Sequence, residues 1–185
     1  RGALVAALLV GGAMVGTALS VTDRRTGGAQ LEDQSIELKA INRVREAAGS
    51  EANVSVTSYN RTVLITGEVP TEAARLATEQ AVARIENVRG TVNELAVMGS
   101  TTLAARSNDA ILSSKVKAAF IDAKDLQATA FKVVAERGTI FLMGRVTERE
   151  ANRATELARA TSGVGKVVKV FEILSEAELA ALQSK

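Results

Sequence analysis

The 185 residues of this chain include no histidine, cysteine or tryptophan, and those absences remove whole classes of chemistry. Without His or Cys the common zinc, haem and iron–sulfur sites have no ligands, which leaves only a carboxylate site for Mg or Ca open. A Ser–His or Cys–His nucleophilic pair is impossible, and no D-x-D-x-D-G calcium loop is present. The expectation is a binding protein with no catalytic residue, no metal and no cofactor. One constellation does carry chemistry: Ile111, Lys115, Lys117, Ala118 and Lys124. At about 100° per residue, Ile111 lies off the helical core stripe of Leu112, Val116, Ala119 and Phe120. It shares its face with Lys115 and Ala118, and Lys117 and Lys124 are close by. An outward apolar residue among lysines suits shallow insertion between anionic headgroups, and each lysine near such a surface contributes about 1 kcal/mol. In the competing reading, Ile111 packs on a neighbouring domain and the lysines are only solvated.

Weaker motifs have blander explanations. Gly163-Val164-Gly165-Lys166 suggests a phosphate loop, but it lacks the full G-x-x-x-x-G-K-[ST] pattern and precedes a strand. Glu148, Glu150 and Glu156 fall on a helix expected to be exposed, where carboxylates are solvated. Gly67 and Gly144 read as backbone requirements at strand ends. Nucleic acid is not an expected partner, since aromatic residues make up 3% of the chain and no RNP-like strand occurs. The net charge of +2 is unevenly spread. Residues 31–98 carry −3 (7 basic, 10 acidic), whereas residues 99–174 carry +4 (12 basic, 8 acidic). The second half is the expected partner of an anionic surface.

These residues are positioned by a tandem repeat. In the first copy, Asp33 reads as the cap of a helix with Ile36, Ile41 and Val44 inward. Strands follow around Val54–Val56 and Val63–Ile65, with a turn at Tyr59-Asn60-Arg61. Pro70 and Thr71-Glu72 open a second helix carrying Ala74, Leu76, Ala77, Ala81 and Ile85 inward, and Val92, Leu95 and Val97 mark a third strand. In the second copy, Asn108-Asp109 starts a helix, strands run from Phe131 and Ile140, and Thr147 with Glu150 forms a capping box. A last strand reaches Ile173, and Ser175 with Glu178 opens a C-terminal helix. The expected fold is α+β: two α-β-β-α-β units, each with two helices packed on a three-stranded sheet. The expected boundaries are 1–30 for an apolar leader and polar linker, 31–98 and 107–174 for the two domains, and 175–185 for the C-terminal helix.

The leader runs uncharged from Gly2 to Val21, roughly the length of a membrane span. It reads as a transmembrane helix, as a segment following a lipidated residue, or as an apolar linker, and Arg1 alone does not make a secretory n-region. Gly12 and Gly16 form a G-x-x-x-G that permits close helix approach in a membrane.

Each copy resembles a BON domain. The resemblance rests on "EVPTEAAR" and "RVTEREAN" after the hairpins, and on the ends "NVRGTVNELAV" and "GVGKVVKVFEI". With "DRRTGGAQ", "SNDAILSSKVKAAF" and "GTIFLMGRVTEREA", the arrangement over roughly residues 10–174 is similar to dual-BON outer-membrane lipoproteins. That resemblance implies periplasmic exposure at the outer membrane and an anchor on an acylated cysteine, expected just before Arg1. It also implies support of envelope integrity and outer-membrane protein assembly. Anionic phospholipid of the phosphatidylglycerol type would bind the first helix of the second domain. Similar members can carry Trp where this chain has Ile111. The alternative is a ring-like homo-oligomer assembled through the BON domains and membrane-associated leaders.

Overall fold

The computed structural model describes residues 23–184. The leader, and with it Gly12 and Gly16, lies outside the described residues. Among those described, Arg25–Thr102 form one compact unit, and residues from Leu103 onward form a second together with Asp23 and Arg24.

The first unit runs α1 (Gly27–Ala48), β1 (Asn53–Tyr59), β2 (Thr62–Val69), α2 (Glu72–Ala83) and β3 (Gly90–Val97). Its sheet has β2 at the centre, antiparallel to β1 and parallel to β3. Helix α1 presents Ile36, Ala40, Val44 and Ala48 at helical spacing to Val63, Ile65 and Val69, which alternate along β2. Helix α2 adds Val82, and Ile85 follows just after it.

Helix α1 begins earlier than its apparent cap suggests. Thr26 is the cap, accepting from the Ala29 amide, and Gly27 and Gly28 form the first turn. Asp33 is buried in mid-helix. Its carboxylate accepts from the amides of Asn60 (2.7 Å) and Arg61 (2.8 Å) and from the Ser58 hydroxyl (2.7 Å). Arg25 closes the other side at 2.9 Å. Asn60 and Arg61 both have positive φ, 48° and 67°, the conformation of a tight hairpin turn. The aspartate therefore pins a turn that two non-glycine residues would otherwise adopt with difficulty.

Three further details depart from expectation. Strand β2 does not stop at Gly67 but continues to Val69. A Cβ on Gly67, whose φ is +115°, would lie 2.0 Å from the Asn53 carbonyl oxygen, so the glycine admits a crossing backbone. Pro70 precedes the helix, and Thr71 caps α2 by accepting from Ala74 N. Leu76 is exposed, and its expected inward place is taken by Thr78, which is buried and satisfies its hydroxyl on Ala74 O.

The second unit repeats the plan with α3 (Leu103–Asp122), β4 (Phe131–Glu136), β5 (Thr139–Thr147), α4 (Glu148–Ala160) and β6 (Lys166–Leu174), followed by α5 (Glu176–Gln183). Strand β5 is central, antiparallel to β4 and parallel to β6. Leu112, Val116 and Phe120 of α3 meet Ile140 and Leu142, with Ala154 and Ala158 of α4. Phe131 lies between Phe120 and Phe171, with ring centroids 5.1 and 5.9 Å away. Both expected capping boxes are formed.

The corrections repeat as well. Helix α3 begins at Leu103 rather than Asn108. Asp109 is buried and accepts from Arg137 N (2.8 Å) and Gly138 N (3.0 Å). Strand β5 runs through Gly144, where a Cβ would come 2.5 Å from Ala130 O.

Candidate functional site

Helix α3 is held by one stripe, and everything opposite is open. Leu112 is 3% exposed and Val116 and Phe120 no more than 1%, so the helix cannot rotate about its axis without emptying the core. This fixes what faces outward. Ile111, Lys115, Lys117 and Ala118 are all exposed on the helix, and Lys124 is exposed just beyond its end. Ile111 is 57% exposed and stands outside the buried core of its unit.

The outward face holds more apolar surface than Ile111 and Ala118. Ile121 is 72% exposed and Leu103 76%. Helical geometry places Ile121 about 180° from Leu112 and as far from the centre of the buried stripe as Ile111, on the other side of the outward direction. That signal was available in the sequence, but following the 111–115–118 row alone misses it. Ala110, Ser114 and Ala118 continue the exposed strip between these large residues. Lys115 flanks it on one side and Lys117 on the other, each about 80° from the strip's centre. Such lysines can lay their methylenes along apolar surface while the ammonium groups reach outward.

Helix α1 offers a rival face. Leu31 and Leu38 are 53% and 59% exposed and seven residues apart. The charges on that helix are mixed, however: Glu32, Asp33, Glu37 and Glu46 against Lys39, Arg43 and Arg45. It also belongs to the repeat whose net charge is negative. Helix α3 carries Arg106, Lys115 and Lys117 against Asp109 and Asp122 and belongs to the net-positive repeat, so charge would favour it over α1 at an anionic surface.

Other chemical candidates resolve into structure. Gly165 N donates to Gly138 O (2.9 Å), so the Gly163–Lys166 loop fastens β6 to the hairpin turn rather than presenting its amides as an anion cradle. An open depression of about 550 Å³ is lined by Asn152, Thr155, Glu156, Arg159, Ala160 and Lys169, and it mixes both charge signs. Among the described residues no cluster suits a metal ion, and no helix is long and apolar enough to cross a membrane.

Glu148 and Glu156 are exposed as expected, but Glu150 is not. It is buried, and its two oxygens receive the guanidinium of Arg24 at 2.8 and 2.7 Å. It also accepts from Thr147 N at 3.0 Å. Burial pushes its pKa upward, but the hydrogen bonds from Arg24 and Thr147 and the Arg24 charge outweigh that, leaving it below the ordinary 4.5.

The BON domain family model matches residues 33–99 and 108–175. The chain is 39% identical over 173 residues to the outer membrane lipoprotein DolP of Haemophilus influenzae, covering 92% of this chain and 88% of that protein. It is 32% identical over 151 residues to a 21 kDa hemolysin of Actinobacillus pleuropneumoniae, covering 80% and 78%. Among solved structures, CdsD of the Chlamydia trachomatis type III secretion system overlaps with a TM-score of 0.32 at 10% identity, covering 78% of this chain and 97% of that one. That overlap is too loose to bear on function. Two matched domains at the positions of both repeats, with identity that extends across nearly the whole length of an outer membrane lipoprotein, leave one conclusion: the chain belongs to the dual BON-domain outer-membrane lipoprotein family.

Proposed function

We propose that this protein faces the periplasm at the outer membrane, held there by a lipid anchor, and binds anionic phospholipid through the outward face of α3. The observation that carries the reading is the strip of Leu103, Ile111, Ala118 and Ile121, exposed on a helix whose other side is locked in the core. Lys115, Lys117 and Lys124 surround it, in the repeat of net positive charge. The apolar residues enter the headgroup boundary and the lysines meet the lipid phosphates. Phosphatidylglycerol-type lipid satisfies both, and the contact is one of binding, not of catalysis. The role in envelope integrity and outer-membrane protein assembly is inferred from the family.

The test uses the chain without residues 1–22, so that the leader does not dominate partitioning. Binding to vesicles rich in phosphatidylglycerol should exceed binding to phosphatidylcholine vesicles and weaken as salt rises. Replacing Ile111 and Ile121 together by Glu should lower anionic-vesicle affinity by about tenfold or more, since losing partial burial of each side chain costs on the order of 1 kcal/mol before repulsion is added. Thermal stability should hardly change. Equal binding to both vesicle types would sink the electrostatic reading, and a large loss of stability would place these residues in packing.

A further inference from the structure

The repeat supplies a control for deciding which buried polar groups serve the fold alone. Asp33 and Asp109 do the same work in both copies. Glu150 does not. It is the third residue of α4, where α2 has Ala74, and α2 is capped by Thr71 without any carboxylate at that position. Neither does Arg145, which follows Gly144, have a counterpart: Glu68 follows Gly67. These two residues, found only in the second copy, form a receptor for a third.

That third residue is Arg24. Its guanidinium donates to both Glu150 oxygens, to Arg145 O at 2.9 Å and to Gln127 Oε1 at 3.3 Å. Arg145 returns a bond from Nη1 to Arg24 O at 2.9 Å, while its Nε lies 3.2 Å from Glu172. The Arg24 and Glu150 side chains are 5% and 3% exposed. A buried, two-pronged ion pair with a reciprocal backbone exchange is a specific geometry, unlike a surface contact. It gathers Asp23 and Arg24 into the second unit although the first unit intervenes in sequence.

The location gives the contact a consequence. The apolar leader ends at Val21, three residues before Arg24, and three residues of chain reach at most about 10 Å however they are folded. On the other side, Gln127 stands five residues past the end of α3, the end that carries Ile121 and Lys124. We infer that Arg24, Arg145, Gln127 and Glu150 form a clasp that ties the membrane tether to the second BON domain beside its lipid-facing helix. With the uncharged leader taken as lying in the bilayer, the clasp shortens the effective tether of α3 from a free linker to a few residues and so raises the concentration of that face at the membrane. This rests on α3 being the lipid-facing helix.

The chain has no cysteine, so Asp122→Cys gives a single labelling site at the exposed end of α3. The full chain, carrying a fluorophore there, is inserted into neutral phosphatidylcholine vesicles whose headgroups bear a nitroxide quencher. Inserting about twelve Gly/Ser residues between Val21 and Thr22 adds about 20 Å of flexible reach ahead of the clasp, and quenching should fall several-fold. The same insertion between Arg24 and Arg25 lies beyond the clasp and should leave quenching unchanged. Arg24→Met should reproduce the first insertion, and its thermal unfolding shows whether the domains remain folded. Equal effects of the two insertions, or no effect of either, would overturn the clasp. Repeating the measurement with phosphatidylglycerol separates the two ideas: recovered quenching in the loosened variants supports lipid attraction by α3, and its absence counts against that reading while leaving the neutral-vesicle result to judge the clasp.

Discussion

Among the buried carboxylates, Asp33 and Asp109 do one kind of work and Glu150 another, and substitution separates them. Asp33 and Asp109 each hold two turn amides, hydrogen bonds that are charge-assisted and worth about 1.5–3 kcal/mol apiece. Asp33→Asn should lower unfolding stability by about 2 kcal/mol in denaturant melts, and Asp109→Asn by a similar amount. The loss at position 33 should be the larger, because Arg61 is a non-glycine residue at positive φ and Arg25 also leans on that carboxylate. In the second copy the equivalent turn position is Gly138, so the turn depends less on its aspartate. Glu150 adds a pH dependence. Its folded pKa lies below 4.5, so the stability it contributes is fully present above that value and is lost as pH falls through the depressed one. Stability measured between neutral pH and the acid range should therefore decline more steeply in the native protein than in Glu150→Gln. The variant should start lower at neutral pH by about 1–3 kcal/mol, the cost of leaving a buried partner unsatisfied. Parallel curves would show that Glu150 is not the coupled group.

Among the elements, the glycines test the fold most sharply. Gly67→Ala places a methyl 2.0 Å from Asn53 O, and Gly144→Ala one 2.5 Å from Ala130 O. In each case the obstacle is backbone that cannot rotate away, so each should cost at least about 3 kcal/mol by thermal or chemical melting. Gly90→Ala meets nothing within 4 Å and should be close to neutral. The α-β-β-α-β order was legible in the sequence, because period-2 runs such as Val63–Ile65 and the 112–116–120 stripe are local patterns. Both capping boxes were legible for the same reason. The start of α1 was not: Asp33 looks like a cap because its side chain bonds amides, but those amides belong to a turn 27 and 28 residues away. Leu76 read as inward and Glu150 as solvated for a related reason. The partner of Glu150 is 126 residues distant in sequence, and no window along the chain contains both. On α3 the core stripe was legible and determined the outward face, although Ile121 was missed by following one row of the wheel.

For the whole molecule, opposite net charge in two copies of one fold is the feature that most directly supports the proposed lipid contact. The two units share a plan of elements and the turn-holding aspartates, and the Arg24 receptor belongs to the second alone. A chain beginning at Asp23 retains the clasp and one beginning at Arg25 loses it. Both should fold, and the shorter should melt lower, by several degrees if the loss is about 1–2 kcal/mol. The central claim is that α3 is the face that meets anionic lipid, and a depth scan reads it most directly. Single cysteines carrying nitroxides, introduced one at a time from position 107 to 124 and at Leu31 and Leu38, would be bound to phosphatidylglycerol vesicles and their immersion measured by power saturation. The expected profile has a helical period, with maxima at Ile111, Ala118 and Ile121 and shallow values at Leu31 and Leu38. Immersion at Leu31 and Leu38 with α3 left in water, or no periodicity along α3, would contradict it.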